Sequence, residues 1–369
     1  MAFRDIIGQD RAVNILLKTI QRERIPSSYL FAGESGIGKK LTAVNLAKAL
    51  NCLTREQGGS TRPELQDNGL RLASYDCCDA CPSCRKIESG IHPDVMTLAP
   101  EGGQIRIEEI RAIDEVLSLT AFEGKYKIVI VDDADSMNSY AANAFLKTLE
   151  EPPDNSLILL ISANPDKLPD TIRSRCSRIN FAPLSHEACR TVIENMLVRK
   201  SESSIHRKNK KERVKKKKSE EEMGEIAPLP DSPALSLLAR LSMGRPGIAA
   251  SGDLIEEREW FLKLLTDMLN AEKDGWTSRD DMERWFDFLI IILRDMAVMK
   301  ITGDEMSLIN CDMKEYIKKL SNSVELTDII KDYQIFNLLK GYFIFHVNKS
   351  LTWNYTGSVL RKTMVDFYA

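Results

Sequence analysis

Apolar residues near the start of the chain recur with helical spacing, Val13, Leu16, Leu17 and Ile20 falling at i, i+3, i+4 and i+7 before a turn at Pro26. The run Tyr29-Leu-Phe-Ala32 predicts a strand. It passes into Gly33-Glu-Ser-Gly36-Ile-Gly38-Lys39-Lys40, after which Leu41, Val44, Ala47 and Leu50 predict a second amphipathic helix. Apolar runs over 94–98, 127–132, 156–162 and 178–181 predict further strands, and the spacing over 107–119 and 138–151 predicts helices between them. Strands alternating with helices in this way imply a parallel α/β sheet covered on both faces.

From Ser185 the pattern turns helical, with Cys189, Val192, Ile193 and Met196 on one face, and is then interrupted by a lysine-rich stretch and Glu220-Glu-Glu222, nearly without apolar residues until Ile226. Order resumes at Ser232, an N-cap with Pro233 after it, and that helix stops at Gly244. Beyond Gly252 the spacing is helical almost to the end, marked by Trp260, Leu264, Leu265, Trp285, Phe288, Leu289 and Ile292. The chain thus divides into an α/β domain over 1–182, a small helical domain over 183–252 with a basic, disordered insertion at about 200–230, and an all-α domain over 253–369.

Composition narrows the class. With 369 residues, 43% hydrophobic and 28% charged, the chain can bury several cores, which excludes wholesale disorder and fibrous repeats. The longest apolar run, Phe288 to Leu293, is cut off by Arg294 and Asp295, and the first ten residues carry charges where a signal segment would be apolar, so a cytoplasmic protein without a membrane partner is expected. The net charge of −3 conceals a run from Arg199 to Lys218 of net +9, leaving −12 for the rest. Lysines without interleaved aromatics can attract nucleic-acid phosphates but cannot stack bases, so this run is either a DNA-attracting segment or a solvated loop.

Three motifs carry chemistry. Gly33-x4-Gly38-Lys39 has the form of a phosphate cradle: Gly33, Gly36 and Gly38 let backbone N–H groups converge on an anion, the next helix adds its dipole, and Lys39 adds a point charge. The following residue should carry a hydroxyl to ligate Mg²⁺; Lys40 brings only N–H donors and a positive charge instead. The strand Ile128-Val-Ile-Val131 ends in Asp132 and Asp133, where an ATPase holds its metal and polarises water; Asp132 suits the metal side, and Asp133 is one methylene shorter than the usual glutamate. Cys52-x25-Cys78-x2-Cys81-x2-Cys84 offers the four thiolates of a closed structural Zn²⁺ site, with Cys77 an alternative to Cys78. Cys176, Cys189 and Cys311 are expected in cores. A fourth, weaker signal is Thr171-Ile-Arg-Ser174-Arg175-Cys176, where an arginine at a helix start could reach a neighbouring subunit's nucleotide.

Taken in order, Gly8-Gln9, the glycine loop, the inserted cysteines, the acidic strand end, Ala141-Ala-Asn-Ala-Phe-Leu-Lys-Thr-Leu-Glu-Glu-Pro-Pro153 and Ser174-Arg175-Cys176 resemble a bacterial clamp-loader subunit of the AAA+ class over residues 1 to about 250. Within that family, the stretch from Gly90 to Arg111 is similar to the delta-prime type of DNA polymerase III rather than to the gamma/tau motor, and Lys40, Asp133 and Gly247 all depart from the motor's pattern. The resemblance implies an AAA+ P-loop domain over 1–182 with a zinc module at about 52–90, a helical lid over 183–252 and an oligomerisation collar over 253–369. It further implies a ring that uses ATP to load the sliding clamp onto primed DNA, in which this chain is a structural partner of gamma/tau and delta type subunits. Arg175 would complete a neighbour's ATP site in trans, the zinc would be structural, and ATP/Mg²⁺ would be held weakly, with little or no ATPase activity of its own. Two alternatives stand beside this: an active gamma/tau-type motor, which predicts Mg²⁺-dependent hydrolysis lost in Lys39→Ala, and a stand-alone zinc nucleic-acid-binding protein with a relict loop.

Overall fold

Five short strands pair into one parallel sheet: β1 (Ser28–Ala32), β2 (Val95–Leu98), β3 (Lys127–Val131), β4 (Ser156–Ser162) and β5 (Ser177–Asn180), in the order β2-β3-β4-β1-β5. This computed structural model describes residues 1–54, 75–100, 102–213, 232–251, 254–345 and 347–364. The three inner strands β3, β4 and β1 are buried along their whole length, as expected of a parallel sheet covered on both faces.

The helices are α1 (Asp10–Gln21), α2 (Lys39–Leu50), α3 (Pro82–Glu88), α4 (Ile107–Ser118), α5 (Ser139–Glu150) and the single turn α6 (Asp170–Arg173). One core joins Leu30, Val129, Val131, Ile158 and Leu160 of the sheet to Ile110, Ile113 and Leu117 of α4 and Ala141, Phe145 and Leu149 of α5. Asn138 caps α5, its side chain accepting from the Ala141 N–H at 2.8 Å. The predicted alternation is therefore observed, with one addition: α3 carries too few apolar positions to show a period, and its marks are Cys81 at the N-cap followed by Pro82.

Because all strands run the same way, the carboxyl ends of β1, β3 and β4 share one edge, where ligands of open α/β sheets bind. β4 lies between β1, which feeds the glycine loop, and β3, which ends in the acidic residues.

The chain forms two compact units, residues 1–192 with 244–248, and 193–243 with 249–369, so the stretch expected as a lid, 183–252, is shared between them. Helix α7 (His186–Arg213) carries regular backbone into the stretch expected as insertion, and residues 214–231 of that stretch lie outside the described residues, as do 55–74 of the expected zinc module. The second unit is helical: α8 (Ser232–Leu241), the second half of α9 (Pro246–Ser251), α10 (Leu254–Leu269), α11 (Arg279–Thr302), α12 (Lys314–Ser323), α13 (Leu326–Tyr342) and α14 (Lys349–Thr363). Its core is aromatic, Trp276 lying 5.4 Å from Trp285 and 4.9 Å from Trp353 between ring centres, and Phe286 5.0 Å from Phe343. Buried Asp295 of α11 accepts from the backbone N–H groups of Ile309 and Asn310, which fixes the loop ahead of α12. Among the described residues no helix is long and apolar enough to cross a membrane.

Candidate functional site

The glycine loop leaves β1 with Gly33, Gly36 and Gly38 all at positive φ. At Gly33 a Cβ would meet the Phe181 carbonyl oxygen at 2.6 Å, so only glycine fits. Gln9 holds the loop from beneath, its amide donating to the carbonyls of Ile37 at 3.2 Å and Ala182 at 2.7 Å. Lys39, the first residue of α2, is buried, and its Nζ donates back to the carbonyls of Gly33 at 2.5 Å and Glu34 at 2.6 Å. Burial lowers its pKa, partly opposed by Asp133, Asp132 and Asp135. Gly247 donates its N–H to the Gly36 carbonyl at 2.9 Å, and a Cβ on Gly247 would lie 2.8 Å from the Gly36 Cα, so the two backbones touch and leave no room for a side chain at 247.

At the end of β3 the acidic residues part company. The Lys40 ammonium sits 2.9 Å from an Asp132 carboxylate oxygen, pairing the residue at the expected hydroxyl position with the residue expected to hold Mg²⁺. Asp133 takes the left-handed conformation at φ 46° and faces solvent; its carboxyl is pushed up, first by partial desolvation and then by Asp132 and Asp135. Asp135 turns away to accept from the Ala163 N–H at 3.2 Å. The loop keeps the backbone of a phosphate cradle, but the residues around it do not fit a divalent cation: one ligand position bears an ammonium, and the carboxylate is already neutralised by it.

The cysteines behave differently. The sulfurs of Cys52, Cys78, Cys81 and Cys84 all lie within 4.8 Å of one another, with Cys78 and Cys84 4.0 Å apart. A tetrahedral Zn²⁺ with Zn–S bonds of about 2.3 Å sets its sulfurs about 3.8 Å apart, so the four fit such an ion. Backbone N–H groups already point at them: Cys78 to the Cys52 sulfur at 3.4 Å, Cys81 to the Cys78 sulfur at 3.2 Å, Cys84 to the Cys81 sulfur at 3.5 Å. Cys52 is pulled down in pKa by the hydrogen bond from Cys84, and Cys84 is pushed up by the same bond, since thiols this close cannot all ionise without a cation between them. Cys77 is buried against Cys84 but is not one of the four sulfurs that lie within 4.8 Å of one another, which favours the spacing through Cys78.

A polar network, which periodicity could not reveal, ties this cluster to the sheet. Asn51, one residue before Cys52, accepts from the N–H groups of Lys125 and Tyr126 at 2.9 Å each and donates to the Tyr126 carbonyl. Ser83, between two ligand cysteines, donates to the Asn51 carbonyl at 2.7 Å; its hydrogen thus used, His92 carries its proton on Nε2, 3.1 Å from Ser83 Oγ, and accepts the Asp94 N–H on Nδ1. Asp94 is fully buried. Desolvation alone would raise its pKa, but the N–H groups of Phe122, Glu123 and Gly124 and the Lys127 ammonium outweigh it and hold the value at about 2. On the opposite side buried Lys48 of α2 pairs with Asp79 and Glu88, and Asp76 accepts from the N–H groups of Phe3 and Arg4.

Arg175 lies past the end of α6, not at a helix start. The chain turns there into β5, and a short helix that ends at Arg173 leaves the guanidinium on the surface. Its backbone is fixed, the carbonyl accepting from Ser28 of β1 at 2.8 Å, while its exposed side chain rests on Glu150 at 2.6 Å and on the Thr171 carbonyl at 2.8 Å. Cys176 and Cys189 are buried as expected; Cys311 is only half-buried, in a turn before α12.

The family described as "DNA polymerase III, delta subunit" matches residues 8–185. The chain is 37% identical over 190 residues to the DNA polymerase III subunit delta' of Bacillus subtilis, covering 52% of this chain and 51% of that one. It is 32% identical over 195 residues to the tau subunit of Escherichia coli, covering 53% of this chain and 28% of that one. It therefore spans about half or less of the length of these relatives. Over 95% of its length it aligns with 98% of a solved gamma subunit-related protein from Thermotoga maritima at 17% identity and a TM-score of 0.35.

Proposed function

With residues 8–185 matching the DNA polymerase III delta-subunit family, we propose that this chain is an assembly subunit of the replicative clamp loader, acting in the cytoplasm beside gamma/tau and delta type subunits to place the sliding clamp on primed DNA. The observation that carries the reading is Arg175: a guanidinium on fixed backbone, exposed, and held by a surface pair with Glu150 and a hydrogen bond to the Thr171 carbonyl. Such pairs are worth about 0–1 kcal/mol, so an incoming triphosphate can take the arginine from Glu150 at little cost. In this role Arg175 stabilises the charge that develops on a neighbour's transferred phosphate, an effect worth about 10³ or more in rate. Lys40 on Asp132 argues against the motor reading, in which Asp132 would hold a metal. The four cysteines would hold a structural Zn²⁺, which supplies only cross-linking, while Asn51, Ser83 and Asp94 seat the module against the sheet. The collar role belongs to the helices of the second unit, and any DNA attraction to the basic stretch.

The test is Arg175→Ala in the reconstituted loader. DNA-stimulated ATP turnover is expected to fall at least about 10³-fold with assembly and zinc content unchanged; unchanged turnover would sink the reading. A purified chain that hydrolyses ATP with Mg²⁺ and loses this in Lys39→Ala would favour the motor.

A further inference from the structure

We infer that the Lys40 ammonium is the resident cation of the glycine loop, standing where a divalent metal would sit, so that the loop takes a nucleoside triphosphate as the metal-free anion. Lys40 occupies the position from which a hydroxyl would ligate Mg²⁺, and its Nζ lies 2.9 Å from Asp132, the carboxylate at the end of β3 that would share that ion. The two residues come from α2 and from the strand end two places away across β4, so the contact follows from the fold and not from sequence proximity. A hard dication approaching this place meets a fixed positive charge and finds its acceptor already paired.

The rest of the loop agrees. The second ammonium, of Lys39, is held among the Gly33 and Glu34 carbonyls, ready to turn toward an anion, and the N–H groups of Gly36 and Gly38 have no backbone or side-chain acceptor among the described residues. The loop thus keeps what a phosphate chain needs, N–H donors and cationic side chains, and lacks what a metal needs. Neither Arg175 nor assembly enters the argument, so this inference stands or falls separately from the loader reading.

The experiment measures ATP binding by the purified full chain, once with Mg²⁺ and once with excess EDTA, for the wild type and for Lys40→Thr. Lys40 is 53% exposed, so the substitution should not disturb folding, and thermal unfolding serves as the control. Wild-type affinity is expected to be the same or weaker with Mg²⁺, whereas Lys40→Thr should bind ATP at least about tenfold tighter with Mg²⁺ than without. Adding Asp132→Asn to Lys40→Thr should abolish that gain. Bound Mn²⁺, read by electron paramagnetic resonance with ATP present, should appear in Lys40→Thr and not in the wild type. Tightening of the wild type by Mg²⁺ of tenfold or more, or a Lys40→Thr chain without metal dependence, would overturn the inference. A wild type that binds no ATP, with or without Mg²⁺, would also overturn the inference.

Discussion

The first unit contains two clusters of cation acceptors, and they have solved the same electrostatic problem in opposite ways. At the end of β3, Asp132 is neutralised by Lys40 from within the chain. At the head of α3, four sulfurs crowd within 4.8 Å and the donors that reach them are backbone N–H groups, other thiols and the Thr54 hydroxyl, none carrying a charge. A cluster of potential thiolates without an internal cation must either stay protonated or bind a metal; a carboxylate with its own ammonium needs neither. Dependence on an external ion is therefore a property of how the chain balances its own acceptors, not of how many acceptors it has.

The comparison breaks most visibly if the cysteine cluster proves indifferent to metal. Purified chain should carry about one zinc, and Cys84→Ser should lose it together with the cooperative unfolding of the module. Structural zinc contributes about 10–16 kcal/mol of apparent binding free energy in small zinc-finger domains, so a lost ligand cannot pass unnoticed. Cys77→Ser, outside the cluster, should retain the full zinc content by atomic absorption. Equal zinc in both variants would refute the assignment of Cys78 and Cys84 as ligands.

The next effect in size concerns Asp94, which seats the module's neighbour loop. Its folded pKa of about 2 lies below the ordinary aspartate value of about 3.9, so the carboxylate stabilises the fold fully above about pH 4 and loses that contribution as pH falls toward 2. Linkage of that size amounts to about 2–3 kcal/mol. Asp94→Asn should cost a similar amount at pH 7 and flatten the acid limb of the stability curve between pH 4 and 2, read by chemical denaturation at each pH. Zinc release, driven by protonation of thiolates, should occur at higher pH than this limb, and a single coincident transition would mean that the two parts are one cooperative element.

How much of this could be read from the sequence differs between the two sites for a physical reason. The strands were legible because buried parallel strands are continuous apolar runs, and 127–132 was expected where β3 spans Lys127–Val131. The cysteine ligands were legible because their spacing is local: three of them lie on one turn and the start of α3. Lys40 was legible as a residue type wrong for Mg²⁺, but its bond to Asp132 depends on which strands flank β4, and pattern alone does not order strands. The network formed by Asn51, Ser83, His92 and Asp94 was not legible: His92 and Asp94 fall in the stretch from Gly90 to Arg111 that carries the resemblance, but polar residues scattered along a chain show no period that would join them in one buried network. Arg175 was expected at a helix start and lies after a helix end, because a four-residue helix carries too little periodicity to place its ends.

The smallest expected effect is the sharpest test of the contrast. Lys40→Ala removes the internal cation, as Cys84→Ser removes the place of the external one, yet it should change the unfolding free energy by no more than about 0.5 kcal/mol. The reason is exposure: Lys40 is 53% and Asp132 21% exposed, so water screens the pair and rehydrates each partner once the other is gone, and exposed pairs measure about 0.2–1 kcal/mol. Any difference in stability from the wild type should shrink as ionic strength rises. A loss of 2 kcal/mol or more in denaturant unfolding would show that Lys40 holds the end of β3 together, and would make the pair a structural element like the cysteine cluster instead of a charge placed to occupy a metal's position.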